Sequence, residues 1–148
     1  MTYSECIDDT DYTSTSIWNN LQYISASGPS DICSPKWIRS LERKLDTFRS
    51  LQENWDSYGA HPINDGALEN AKQFLNSALF SGLEKPLVAA TSRGGVHVEW
   101  DNNGRALELE FISVTELHYY YADSNEEREK ELHSDFEEAR IAARELID

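Results

Sequence analysis

His97, Glu110 and His118 place two imidazoles and a carboxylate in the second half of the chain. Two histidines around one carboxylate form a ligand set for non-haem iron and for some zinc sites. The same groups offer a general acid and a general base if they converge. Asp56 and His61, inside "NWDSYGAHP" (Asn54 to Pro62), make a weaker acid/base pair. A second cluster is purely acidic: Glu99, Asp101, Glu108, Glu110 and Glu116 follow one another within two or three short segments. Whether any of these side chains meet depends on the elements that carry them.

Those elements read as strands. "PLVAATS", "GVHVEW", "RALELEFI" and "ELHYYYA" alternate apolar and polar residues or run apolar, and "RGG", "NNG" and "SVT" join them. Connections this short favour antiparallel neighbours in chain order. Keeping the apolar residues on one face fixes the register. An Asn103-Gly104 turn then pairs Val98 with Leu109, His97 with Glu110 and Glu99 with Glu108. A three-residue turn at Ser113 to Thr115 pairs Phe111 with Leu117 and Glu110 with His118. One row across the outer face reads His97, Glu110, His118, and the next reads Glu99, Glu108, Tyr120. Directly opposed side chains have Cβ atoms about 5 Å apart.

Two readings of that face follow. In the first, His97, Glu110 and His118 hold a metal or share a proton. In the second, Glu99, Asp101, Glu108, Glu110 and Glu116 form an acidic plate in which Glu99 opposes Glu108, a like-charge pairing that destabilises a sheet. Such a plate imitates a phosphate array and fits a basic groove that otherwise holds nucleic acid, with Tyr120 and Trp100 as edge anchors. Solvent exposure alone also makes the outer face of an antiparallel sheet polar.

Helices complete the domain. "SPKWIRSLERKLDTFRSLQENW" has Ser34 as an N-cap, Pro35 in its first turn, and an apolar stripe of Trp37, Ile38, Leu41, Leu45, Phe48, Leu51 and Trp55. Its other face carries Lys36, Arg39, Arg43, Lys44 and Arg49, diluted by Glu42, Asp46 and Glu53. "DGALENAKQFLNSALF" gives a second helix, with Gly82 beyond it. "NEEREKELHSDFEEARIAARELI" gives a third, with Leu132, Phe136, Ala139, Ala143 and Leu146 toward the core. The predicted fold class is α+β, a four-stranded antiparallel meander with helices packed on one face, as a single domain over residues 34–148.

Residues 1–33 form an acidic Ser/Thr-rich tail without lysine or arginine. One island, "SIWNNLQYI", sets Ile17, Leu21 and Ile24 at helical spacing beside Trp18, with Ser16 as a cap. A helix so short must dock to persist, either on its own domain or on a partner through Trp18 and Leu21.

"NWDSYGAHP" has a structural explanation too. Trp55 closes the apolar stripe, Gly59 suits a left-handed position after a helix, and Asn64 or Asp65 caps the next helix. "ENWDSYGAHP", followed by "GGVHVEW" and "ALELEF", resembles a widespread group of small, mostly uncharacterised bacterial proteins with an NWDGYGA-type turn and a DGGVxLEW-type hairpin. The resemblance spans roughly residues 48–122, with Ser57 where glycine is usual and "TSRGG" where an acidic turn is usual. It implies no catalytic residues. Members of the group are often accessory genes on mobile elements, which implies an interaction or inhibitor role.

Charge narrows the function classes. The chain of 148 residues carries 27 Asp and Glu against 13 Lys and Arg, a formal net charge of −14. Such a field repels nucleic acid and anionic membranes and steers basic partners inward. No apolar run reaches membrane-spanning length, no signal peptide is evident, and Cys6 and Cys33 lie outside any CxxC pattern, so a cytoplasmic protein with free thiols is expected. No phosphate loop, HExxH or recognisable Ser-His-Asp context occurs, and no cofactor is expected. The expectation is a non-catalytic acidic interaction module, inhibitor or antitoxin-like, whose partner is a protein with a basic surface, such as one that itself binds nucleic acid. The alternatives are an acid/base or metal enzyme working on the sheet face, and an accessory subunit docking through Trp18.

Overall fold

Asn103 and Gly104 sit at φ +52° and +84° and reverse the chain between two strands. Asparagine and glycine tolerate the left-handed region that such a two-residue hairpin turn demands. The computed structural model describes residues 36–78 and 82–147. Trp18, Leu21, the short helix expected around them and the Ser34 cap lie outside the described residues.

Around that reversal the chain builds β1 (Leu87–Ala90), β2 (Val96–Asn102), β3 (Arg105–Phe111), β4 (Glu116–Ala122) and β5 (Glu127–His133). They form one antiparallel sheet in the order β1-β2-β3-β4-β5. The register is the expected one: Val98 faces Leu109, His97 faces Glu110, Glu99 faces Glu108, and Glu110 faces His118. Before the sheet come α1 (Lys36–Thr47), a single 3-10 turn (Phe48–Ser50) and α2 (Asp65–Ala78); after it comes α3 (Glu137–Glu145).

The fifth strand corrects the sequence reading, which made residues 125–147 one helix. Glutamate, lysine and arginine are good helix formers, but tertiary context overrides that preference. In "EREKELH" the signs alternate with period two. Arg128, Lys130 and Leu132 turn inward while Glu127, Glu129 and Glu131 turn outward. Arg128 lies over the Tyr121 ring and pairs with Glu145, Lys130 pairs with Glu138, and Leu132 is buried. Charges on both faces of an edge strand also deter pairing with another chain. Only the second half of the segment, from Glu137, is helical.

The first helix is shorter than its apolar stripe suggests. The Thr47 hydroxyl donates to the Lys44 carbonyl at 2.6 Å, and Ser50 donates to the Thr47 carbonyl at 2.7 Å. Such back-bonding draws the last turn tight, and Leu51 leaves it with ψ 124°. Trp55 is therefore half-buried in the following turn and does not extend the helix. Ile38, Leu41 and Leu45 from α1, Phe48 from the 3-10 turn, and Ala67, Leu68, Ala71, Phe74 and Leu75 from α2 bury their side chains in one core. That core also takes in Val98, Trp100, Leu109, Phe111, Tyr119 and Tyr121 from the inner sheet face, with Ala139, Ala142 and Ala143 from α3.

A candidate protein interface on the outer face of the sheet

Because the inner face takes the apolar residues, every alternate position points outward. On β2 these are His97, Glu99 and Asp101, on β3 Glu108 and Glu110, and on β4 Glu116, His118 and Tyr120. β5 extends the same face with Glu127, Glu129, Glu131 and His133. The row of His97, Glu110 and His118 thus continues to Glu131, and the row of Glu99, Glu108 and Tyr120 continues to Glu129. Sequence reasoning missed the β5 carboxylates because helix propensity masked the alternation. The reversal of charge sign at each step from Glu127 to Glu131 was the signal that could have found them.

His97, Glu110 and His118 come into one row, yet their charged atoms turn to different partners. Glu110 accepts hydrogen bonds from the Arg93 guanidinium, which reaches it from the β1–β2 turn. His118 Nε2 lies 2.9 Å from Glu131 Oε1, and His97 Nε2 lies 3.4 Å from Glu99 Oε2. Among the described residues no group of three or more His, Cys, Asp or Glu is arranged to hold a metal ion. The row resolves into separate pairwise contacts on the outer surface of the sheet, without the concavity that excludes water from a reacting group.

The electrostatics follow from those pairings. Burial opposes ionisation of Glu110, but hydrogen bonds from Arg93 and Thr91 outweigh it and hold the carboxyl below the usual range. His118 lowers Glu131 in the same way. Glu99 and Glu108, by contrast, meet as like charges, and the Tyr120 hydroxyl beside them donates to Glu127 at 3.0 Å. Hydrogen bonding to that carboxylate raises the phenol above its ordinary value. Trp100 does not serve as an edge anchor. Its ring is buried against Phe74 and its Nε1 donates to the Glu84 carbonyl at 2.8 Å.

The segment "NWDSYGAHP" closes the end of the sheet that holds Arg93. Asn54 N donates to the Ala60 carbonyl at 2.7 Å, and Asn54 Oδ1 accepts from Gly59 N at 2.7 Å. Asp56 Oδ1 accepts from Tyr58 N and Ala60 N, and these backbone donors hold its carboxyl below the usual range. Trp55 Nε1 donates to the His61 carbonyl, and His61 N donates to the Ser92 carbonyl at 2.9 Å. Asn64 N donates to Gly94 at 2.8 Å while Asn64 Oδ1 caps α2 through Ala67 N. The turn and the "TSRGG" hairpin therefore meet as one structural unit. Asp56 is spent on backbone donors, and His61 Nδ1 lies 3.6 Å from Glu53, so they form no acid/base pair. Tyr58 projects from this rigid turn, 92% exposed.

No family model matches the chain, and neither a curated protein nor a solved structure is significantly similar to it. Among the described residues no helix is long and apolar enough to cross a membrane.

Proposed function

We propose that this chain is a non-catalytic interaction module, an inhibitor or antitoxin-like protein whose acidic sheet face occupies a basic protein surface. The observation that carries the reading is the pairing of Glu99 with Glu108. Opposed like charges cost a sheet stability, and here they stand in a wider field of Asp101, Glu116, Glu127, Glu129 and Glu131 on the same face. Arg93 reaches this face, and its guanidinium is already engaged by Glu110. A rigid sheet presents the carboxylates at fixed spacing, so binding need not order them. A surface that normally cradles phosphates offers the complementary charge, and encounter would be steered over long range.

The test compares capture by the wild-type chain with capture by a Glu99→Gln, Glu108→Gln, Glu110→Gln variant, using nuclease-treated lysate of the host. One stoichiometric basic partner that is lost with the variant and released by salt supports the reading. A partner that the folded variant retains overturns it.

A further inference from the structure

β1 has four residues and β2 has seven, and the mismatch leaves Trp100 to Asn102 paired with β3 on one side and with no strand on the β1 side. Leu87 pairs with Glu99, so the register would next set Pro86 opposite Trp100. Proline has no N–H to donate and ends the ladder there. The chain before it bends away, and a groove of about 480 Å³ opens between residues 82–87 and the end of β2. Such a volume is within the range of ligand clefts. From the other side the groove is closed by the end of α3. Asn102 Nδ2 donates to the Leu146 carbonyl and Arg105 donates to the Glu145 carbonyl, which brings Ile147 to its wall.

The lining is chemically two-sided. Leu87 and Ile147 are 57% and 44% exposed, two of the few large aliphatic side chains left open to water among the described residues, and both border this groove. Glu99 and Asp101 stand beside them on alternate positions of β2, about 6.6 to 6.8 Å apart along the strand. Among the described residues carboxylates outnumber cations here, since Glu84 also lines the groove and Lys85 is the basic residue among its walls. Apolar walls with a negative end suit an aliphatic stem that carries a positive charge. Trp100 is buried and offers no open aromatic face on which a guanidinium would stack, which favours the compact ammonium of lysine over arginine.

We infer that this groove receives a lysine side chain of the basic partner, its stem against Leu87 and Ile147 and its ammonium between Glu99 and Asp101. The inference rests on the interaction reading above and names the place where that partner is anchored. The experiment titrates the isotope-labelled full chain with methylammonium, propylammonium and butylammonium at fixed ionic strength. The readout is the Trp100 indole N–H and the methyl groups of Leu87 and Ile147. Affinity should rise roughly fourfold for each methylene that the groove fully buries, and Leu87→Ser or Ile147→Ser should flatten the series. Equal affinities for the three amines, or shifts confined to Glu108 and Glu129, overturn the groove and leave the plate as the interface. Length-dependent binding with a partner that a Glu108→Gln, Glu110→Gln variant, which keeps Glu99, still captures removes the plate reading. If Leu87→Ser and Asp101→Asn then leave that capture unchanged, the assignment to a partner's lysine falls as well.

Discussion

Arg128 lays its guanidinium 4.4 Å from the centre of the Tyr121 ring and closes an ion pair with Glu145. One side chain thereby ties the edge strand β5 to β4 and to α3. Arg128→Ala should destabilise the fold by about 1–2 kcal/mol, through the lost cation–π contact and the carboxylate left behind. Arg128→Lys should recover part of that, since it keeps the charge but loses the planar fork. Urea unfolding of the three proteins checks the order.

Ser57 holds φ +69°, a conformation glycine adopts without steric penalty. Ser57→Gly should therefore stabilise the turn by about 0.5–1 kcal/mol, the left-handed penalty less the entropy glycine adds to the unfolded chain. Gly94→Ala should do the opposite. Its φ is +89°, and a Cβ there would come 2.7 Å from the Pro62 carbonyl oxygen. A loss of about 2–4 kcal/mol is expected, seen as a lower thermal midpoint.

Glu108→Gln relieves the opposition with Glu99 and should raise stability by about 0.2–1 kcal/mol. The same change should weaken capture of a basic partner, so stability and binding move in opposite directions. A variant that gains neither stability nor weaker binding would count against a functional reason for the pair.

Glu110 makes the fold sensitive to acid. Its carboxyl is lowered in the folded state by Arg93 and Thr91 against the opposing effect of burial. Its contribution is therefore complete above the ordinary carboxylate value and is lost as pH falls through the lowered one. Arg93→Gln removes the main partner. The stability difference between wild type and Arg93→Gln should be largest near neutral pH and shrink on acidification, measured by urea midpoints across that range.

The sheet's central register was legible because the Asn103-Gly104 turn and strict alternation leave a single pairing that buries Val98, Leu109 and Leu117 together. The acidic face was legible for the same reason, though only as far as β4. Glu127 to His133 defeated the reading because its inward side chains are mostly charged. Arg128 and Lys130 find their partners, Glu145 and Glu138, only once α3 has packed. The end of α1 was misjudged on similar grounds. The apolar stripe runs on to Trp55, but hydroxyl groups at Thr47 and Ser50 tighten the backbone first. Fixed partners for His97, Glu110 and His118 were beyond reach, since register places Cβ atoms and says nothing about which carboxylate each imidazole selects.

Strand order in this sheet follows chain order without a crossover. Each ladder joins sequence neighbours, so pairing can spread hairpin by hairpin from the Asn103-Gly104 reversal while closing only short loops. Low contact order of this kind favours fast folding. The long closures are those that return α1 and the Trp55 turn to the sheet, and they carry the larger entropic cost. A nascent chain also emerges with α1 and α2 made first and their apolar stripes waiting for a sheet not yet synthesised. Interrupted synthesis would then leave those two apolar stripes exposed, because the sheet strands that supply the rest of the core come later in the chain.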